Sequence, residues 1–92
     1  MSTLRALSGQ RAALLRAFEP IVSAAEREPG TSVYAVHEDT ADPDALWFYE
    51  VYTDDDAFAA HRHSETFARA RPAIHALLAA PPEINRLTVV SG

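Results

Sequence analysis

The sequence predicts an α+β fold, and three observations carry that expectation. Leu46 to Thr53 reads LWFYEVYT, a run of aromatic and β-branched residues suited to a pleated sheet. Leu14, Leu15, Phe18, Ile21, Val22 and Ala25 recur at helical spacing. Turn and breaker residues then divide the chain into strand, helix, strand, strand, helix, strand. With 92 residues the expected organisation is one domain, 1–92, whose own core is small for its surface.

The elements follow in order. Ser2 to Leu7 reads as a short strand, and Ser8-Gly9 as a turn in which Ser8 is a candidate cap. Arg11 to Glu28 is helical, with Pro20 expected to bend it. Pro29-Gly30 ends it, Gly30 suiting a left-handed cap. Ser32 to Glu38 is the second strand, and DTADPD, Asp39 to Asp44, is a turn leading into the strand from Leu46. Thr53 is a candidate cap for the next helix, and Asp54, Asp55 and Asp56 place negative charge where the helix dipole favours it. Ser64 reads as a second cap, dividing that helical layer near His63. A further segment runs from Glu65 to Ala79 with Pro72 inside it. Pro81-Pro82 stops it, and Glu83 to Val90 is the last strand.

This order is the ferredoxin-like split βαβ arrangement, a four-stranded antiparallel sheet with its helices on one face. The opposite face is left bare and carries Trp47, Tyr49 and Val51. A bare apolar sheet face on so short a chain predicts a second copy, two sheets packing as a barrel-like homodimer.

Composition narrows the function. The chain has 13 acidic and 8 basic residues, a net charge of −5, which argues against nucleic-acid or anionic-membrane partners. It has no cysteine, so neither a disulfide nor a thiolate metal site is available, and no lysine for a Schiff base. No segment approaches the length of a membrane span and no secretory signal is evident, so a soluble cytoplasmic protein is expected.

The candidate chemistry lies in the third strand and the helix after it. Alternation puts Phe48, Glu50 and Tyr52 on one face of that strand. Glu50 is a carboxylate among aromatics, and such a group needs donors when buried. His61 is the nearest candidate along the chain, and its intrinsic pKa near neutrality suits a base. The Glu50–His61 pair reads either as a structural tie between helix and sheet or as a catalytic pair. His61-x-His63 does not put both rings on one helix face and the acidic run starts a helix, so no metal site is expected. His37 and His75 read as surface residues, and Arg69 and Arg71 as a solvated helix face, although the two arginines could also meet an anionic substrate.

The run Glu50-x-Tyr52, eight residues, His61, then Ser64 and Phe67, resembles the antibiotic biosynthesis monooxygenase superfamily. Pro29-Gly30 before the second strand, Tyr34 within it, Asp42-Pro43 in the acidic turn and the late segment Leu78 to Glu83 add to the likeness. The resemblance implies a dimeric α+β barrel with a pocket between helices and sheet in each subunit. It also implies oxygenation of a quinol or aromatic polyketide without flavin, haem or metal, the substrate supplying the electrons. The partners implied are a small aromatic molecule, oxygen and a second copy of the chain. On this reading His61 is the base, Glu50 orients it, and Tyr34, Phe48, Tyr52, Phe58 and Phe67 line the pocket. The haem-degrading branch of the superfamily has Asn, Trp and His where this chain has Ser2, Tyr52 and Arg71, so that activity is not implied. The first strand is shorter at its start than in most relatives, so either the start codon is placed too far downstream or this member has lost pocket wall. The alternative is a non-catalytic dimeric ligand-binding or interaction module of the same fold.

Overall fold

The computed structural model describes residues 1–92. Its elements are β1 (Ser2–Arg5), α1 (Arg11–Ala25), β2 (Thr31–Glu38), β3 (Ala45–Tyr52), α2 (Asp55–Arg62), α3 (Glu65–Leu77) and β4 (Glu83–Ile84). The sheet runs β2-β3-β1-β4, and every neighbouring pair is antiparallel. This is the ferredoxin-like order, with the helical layer split in two between α2 and α3 as Ser64 predicts. The Ser64 hydroxyl accepts from the Phe67 amide at 3.1 Å.

One face of the sheet holds the core. Leu4 and Ala6 from the first strand region, Leu46 and Phe48 from β3, Leu14, Phe18 and Ile21 from α1 and Ile74 from α3 form one buried cluster. The Phe18 and Phe48 rings meet at 4.7 Å. Both α1 and α3 carry their prolines, Pro20 and Pro72, inside the helix without ending there. On the other face Val33, Trp47 and Tyr49 remain 38%, 39% and 45% exposed, so the sheet has an uncovered apolar surface.

Four expectations are corrected. The last strand pairs only over Glu83–Ile84 rather than to Val90. Antiparallel pairing brings Ile84 opposite Ser2, and Asn85 exchanges bonds with Met1. Beyond that point the chain does not pair with β1, and Leu87, Val89 and Val90 stand exposed. The cap of α2 is Asp54 rather than Thr53, its carboxylate accepting from the Ala57 amide at 2.8 Å. Gln10, not Ser8, precedes α1, and makes no side-chain cap. Gly30 is not in the left-handed region. Glycine is required there by proximity instead: a Cβ at position 30 would overlap the Ala57 Cβ. That close approach brings α2 down onto the start of β2, and it sets the position of His61.

Candidate functional site

Strand alternation builds the floor of the site. β1 and β3 pair Ser2 with Phe48, and β2 and β3 pair Tyr34 with Glu50. All four side chains therefore share the helix-facing side of the sheet. Over them lies a cavity of about 80 Å³. Its sheet wall is Ser2, Leu4, Tyr34, Phe48 and Glu50, with Pro82 and Ile84 at one end. Its helix wall is Phe18 from α1, Phe58 and Arg62 from α2, and Phe67, Arg71, Ile74 and His75 from α3.

Glu50 is the carboxylate in this wall. Tyr52 donates its hydroxyl to one oxygen at 2.6 Å, and Ser2 donates to the other at 3.2 Å. Two donors hold the group in place and offset part of its desolvation. Burial pushes the Tyr52 hydroxyl far above the usual phenol range, and its bond to Glu50 adds to the effect. The Tyr34 hydroxyl is raised as well, by burial first and then by the negative charges of Glu50 and Glu28. Both phenols are therefore neutral donors at physiological pH.

His61 is 2% exposed and faces the sheet from α2, as expected. Its partner, however, is not Glu50. The imidazole Nδ1 lies 2.8 Å from Glu28 Oε1, and the same oxygen accepts from the Thr31 hydroxyl at 3.0 Å. The reason is the path of the chain after α1. The turn at Glu28 delivers a carboxylate beside the first residue of β2, where Gly30 lets α2 approach. The pair joins residues 33 positions apart, whereas the expected one joined residues in consecutive elements. The other ring nitrogen, Nε2, is buried with no hydrogen-bond partner. Around it stand the rings of Tyr34, Tyr52 and Phe67, at 4.7, 5.6 and 5.5 Å between centroids.

Of the residues expected to form the pocket, Tyr34, Phe48, Glu50, Phe58 and Phe67 line the cavity. Tyr52 and His61 do not. Tyr52 packs on Phe58 at 5.3 Å and reaches the site through Glu50. His61 lies one side chain behind the wall, covered by Tyr34 and Phe67. Sequence reasoning missed Ser2, Glu28 and Arg62. Ser2 could have been found by alternation, since it precedes Leu4 and Ala6 on the buried face of the first strand. Arg62 follows Phe58 by four residues and so shares its helix face. Nothing in the sequence marks Glu28.

Arg62 and Arg71 bring positive charge to the cavity. Both guanidinium groups flank the Phe67 ring, at 5.7 and 4.9 Å from its centroid. Arg71 also donates to the Arg62 carbonyl at 3.1 Å.

A family model confirms what this geometry resembles. The model described as antibiotic biosynthesis monooxygenase matches residues 1–73, which run from β1 into α3. The chain belongs to the antibiotic biosynthesis monooxygenase family. The matched stretch contains Ser2, Tyr34, Phe48, Glu50, Phe58, Arg62, Phe67 and Arg71. Among solved structures, one described as an antibiotic biosynthesis monooxygenase superposes at a TM-score of 0.89 and 22% identity, covering 98% of this chain and 95% of that one. A candidate antibiotic biosynthesis monooxygenase from Caulobacter crescentus superposes at 0.90 with 24% identity, over 98% and 86% of the two chains. The protein PA3566 from Pseudomonas aeruginosa is 29% identical at a TM-score of 0.79, over 95% and 90%. The first two likenesses establish the fold. No curated protein matches the chain. No helix is long and apolar enough to cross a membrane.

Proposed function

We propose that this family member is a small cofactor-independent monooxygenase acting on an electron-rich phenol or quinol bound between sheet and helices. The observation that carries the reading is Glu50, a carboxylate held by Ser2 and Tyr52 in the wall of an aromatic cavity. A cavity near 80 Å³ is smaller than the ~150 Å³ void that accepts benzene in an engineered core. A single substituted ring is therefore held only in part, its remainder outside the lining, and a fused polyketide is disfavoured.

The chemistry needs no electron source beyond the substrate. As a quinol passes one electron to oxygen, its hydroxyl becomes strongly acidic and the proton leaves with the electron. The resulting radical pair joins at a ring carbon. One oxygen atom stays on the ring, the other departs as water, and the product is a hydroxyquinone. Glu50 is the group in contact with the substrate hydroxyl. A carboxylate is a far weaker base than a phenolate, so Glu50 does not strip a resting phenol but accepts the proton released on electron transfer. Tyr34, held neutral in the cavity wall, supplies a donor near the developing peroxide anion, while Tyr52 spends its one hydroxyl proton on holding Glu50. His61, expected from sequence as the base, becomes a positioning residue: with Glu28 it fixes the rings of Tyr34 and Tyr52 from behind.

The uncovered face of Val33, Trp47 and Tyr49 supports a homodimer in which a second copy covers it. A non-catalytic ligand-binding module remains the alternative, favoured by the position of His61 behind the wall. Oxygen uptake separates the two. Metal-free, flavin-free protein should consume oxygen with hydroquinone-type substrates, and Glu50→Gln should slow it by roughly 10²-fold or more. Unchanged uptake in Glu50→Gln removes the carboxylate from the mechanism, and no uptake with any quinol leaves the binding module.

A further inference from the structure

The cavity has a polarity from sheet to helices that the oxygenation reading does not use. The sheet wall holds the Glu50 carboxylate. The helix wall holds Arg62 and Arg71, two guanidinium groups with no carboxylate at ion-pair distance. The contrast with neighbouring arginines is informative. Arg69 is paired with Glu65, and Arg86, stacked over Phe58 at 4.4 Å, is paired with Asp55. Of these four arginines, the two that line the cavity are the ones without an acid at ion-pair distance. Arg62 Nε is moreover buried with no acceptor, an arrangement that is costly when left unfilled. Two like charges flanking one phenyl ring also repel each other. The chain as a whole carries −5, so this is a local reversal of its field.

We propose that the substrate ring carries a carboxylate, which Arg62 and Arg71 bind while a ring hydroxyl meets Glu50. The inference rests on the oxygenation reading only for the identity of the ring as a quinol. The guanidinium fork matches a carboxylate in a planar, two-bond geometry that a neutral substituent cannot reproduce. Glu50 sharpens the choice. It repels a carboxylate at the sheet wall, so an acidic quinol enters in one orientation, hydroxyl toward the sheet and anion toward the helices. Exposed His75 and the neutral phenol of Tyr34 are the remaining ionisable side chains of the lining.

The test measures binding without turnover. Gentisate, a dihydroxybenzoate, and gentisamide, its uncharged isostere, are compared by anaerobic equilibrium dialysis against the full chain. Gentisate should bind at least roughly tenfold tighter, with a preference that weakens as salt is added. Arg71→Gln and Arg62→Gln should each remove most of that preference while leaving gentisamide binding within about twofold. Arg71→Lys, which keeps the charge and loses the fork, should retain part of it. Circular dichroism confirms that each variant is folded, and Arg71→Lys keeps the question answerable if a glutamine variant is not.

Equal binding of acid and amide overturns the proposal. So does a preference that survives both glutamine substitutions, or failure of both compounds to bind. Oxygen uptake is read separately. A charge preference without uptake on any quinol removes the oxygenase reading and leaves the anion site. Uptake at equal kcat/KM for hydroquinone and gentisate, without a binding preference, does the reverse.

Discussion

Replacing His61 separates the two roles that a buried imidazole can have. In His61→Ala the ring is lost from among Tyr34, Tyr52 and Phe67, and a void of this kind costs ~2–4 kcal/mol by analogy with large-to-small core substitutions. The bond to Glu28 is lost too. The Glu28 side chain is 24% exposed, so water re-solvates it and the net loss is ~1 kcal/mol. Against these, the buried Nε2 without a partner disappears, which returns ~1–2 kcal/mol. The balance is a destabilisation of about 3 kcal/mol. In a 92-residue domain that lowers Tm by roughly 12–24 °C, out of a total stability of roughly 5–14 kcal/mol. His61→Leu fills the void with an apolar side chain. It loses the same bond and removes the same unpartnered nitrogen, so its stability should stay within ~1 kcal/mol of the parent. Urea unfolding of both variants measures the gap, and oxygen uptake is followed on each. If the leucine variant is as unstable as the alanine variant, the bond to Glu28 outweighs packing and the accounting fails. If it is as stable as the parent but loses 10²-fold or more of its activity, His61 is itself the base and its position behind the wall has been misjudged.

Other perturbations address separate parts of the structure. Gly30→Ala forces a Cβ into the Ala57 Cβ and should destabilise by ~1–3 kcal/mol, with Ala57→Gly restoring most of the loss; a neutral Gly30→Ala refutes the close approach of α2 to β2. Tyr34 and Tyr52 have raised pKa values, so the fold favours their neutral forms. Their contribution is fully present below the unfolded value of roughly 10 and is lost as pH climbs above it. Ultraviolet titration should then show these phenols ionising only as the chain unfolds in alkali, and reversible ionisation of either near its ordinary value with the fold intact contradicts their burial. Light scattering should give about twice the 10.1 kDa chain mass, and Tyr49→Glu should halve it. A stable monomer at micromolar concentration rules out the covered face.

The fold was legible because its signals are local and mutually consistent. Period-two alternation in β3 and helical spacing in α1 and α3 each identify a buried face, and the breakers at Pro29-Gly30, Ser64 and Pro81-Pro82 separate the elements. The failures are those of tertiary geometry. Glu83 to Val90 has strand composition throughout, but whether a strand forms depends on a neighbour, and only Glu83 and Ile84 pair with β1. Thr53 and Asp54 are both good caps, and the choice between them is settled by which residue the chain leaves extended before α2. A left-handed turn is the common reason for glycine after a helix, and sequence alone points Gly30 there. Here the reason is a neighbouring helix, which local sequence does not reveal.

The site shows the same division more sharply. Placing Glu50 among Phe48 and Tyr52 on the helix-facing side required only parity, and the tyrosine hydroxyl on its carboxylate confirms that placement. Assigning His61 to Glu50 required distance, and distance along a chain is a poor guide when two acids can reach one imidazole. Glu28 reaches it because the connection between α1 and β2 ends beneath α2, an outcome of how the layers stack. The consequence is chemical as well as geometric. With His61 occupied by Glu28, the cavity lining holds one carboxylate on the sheet and two guanidinium groups without an acid partner on the helices. A ring bound there meets an acceptor on the sheet wall and cations along the opposite wall, so selectivity should follow the charge of the ring's substituent more than the basicity of any histidine.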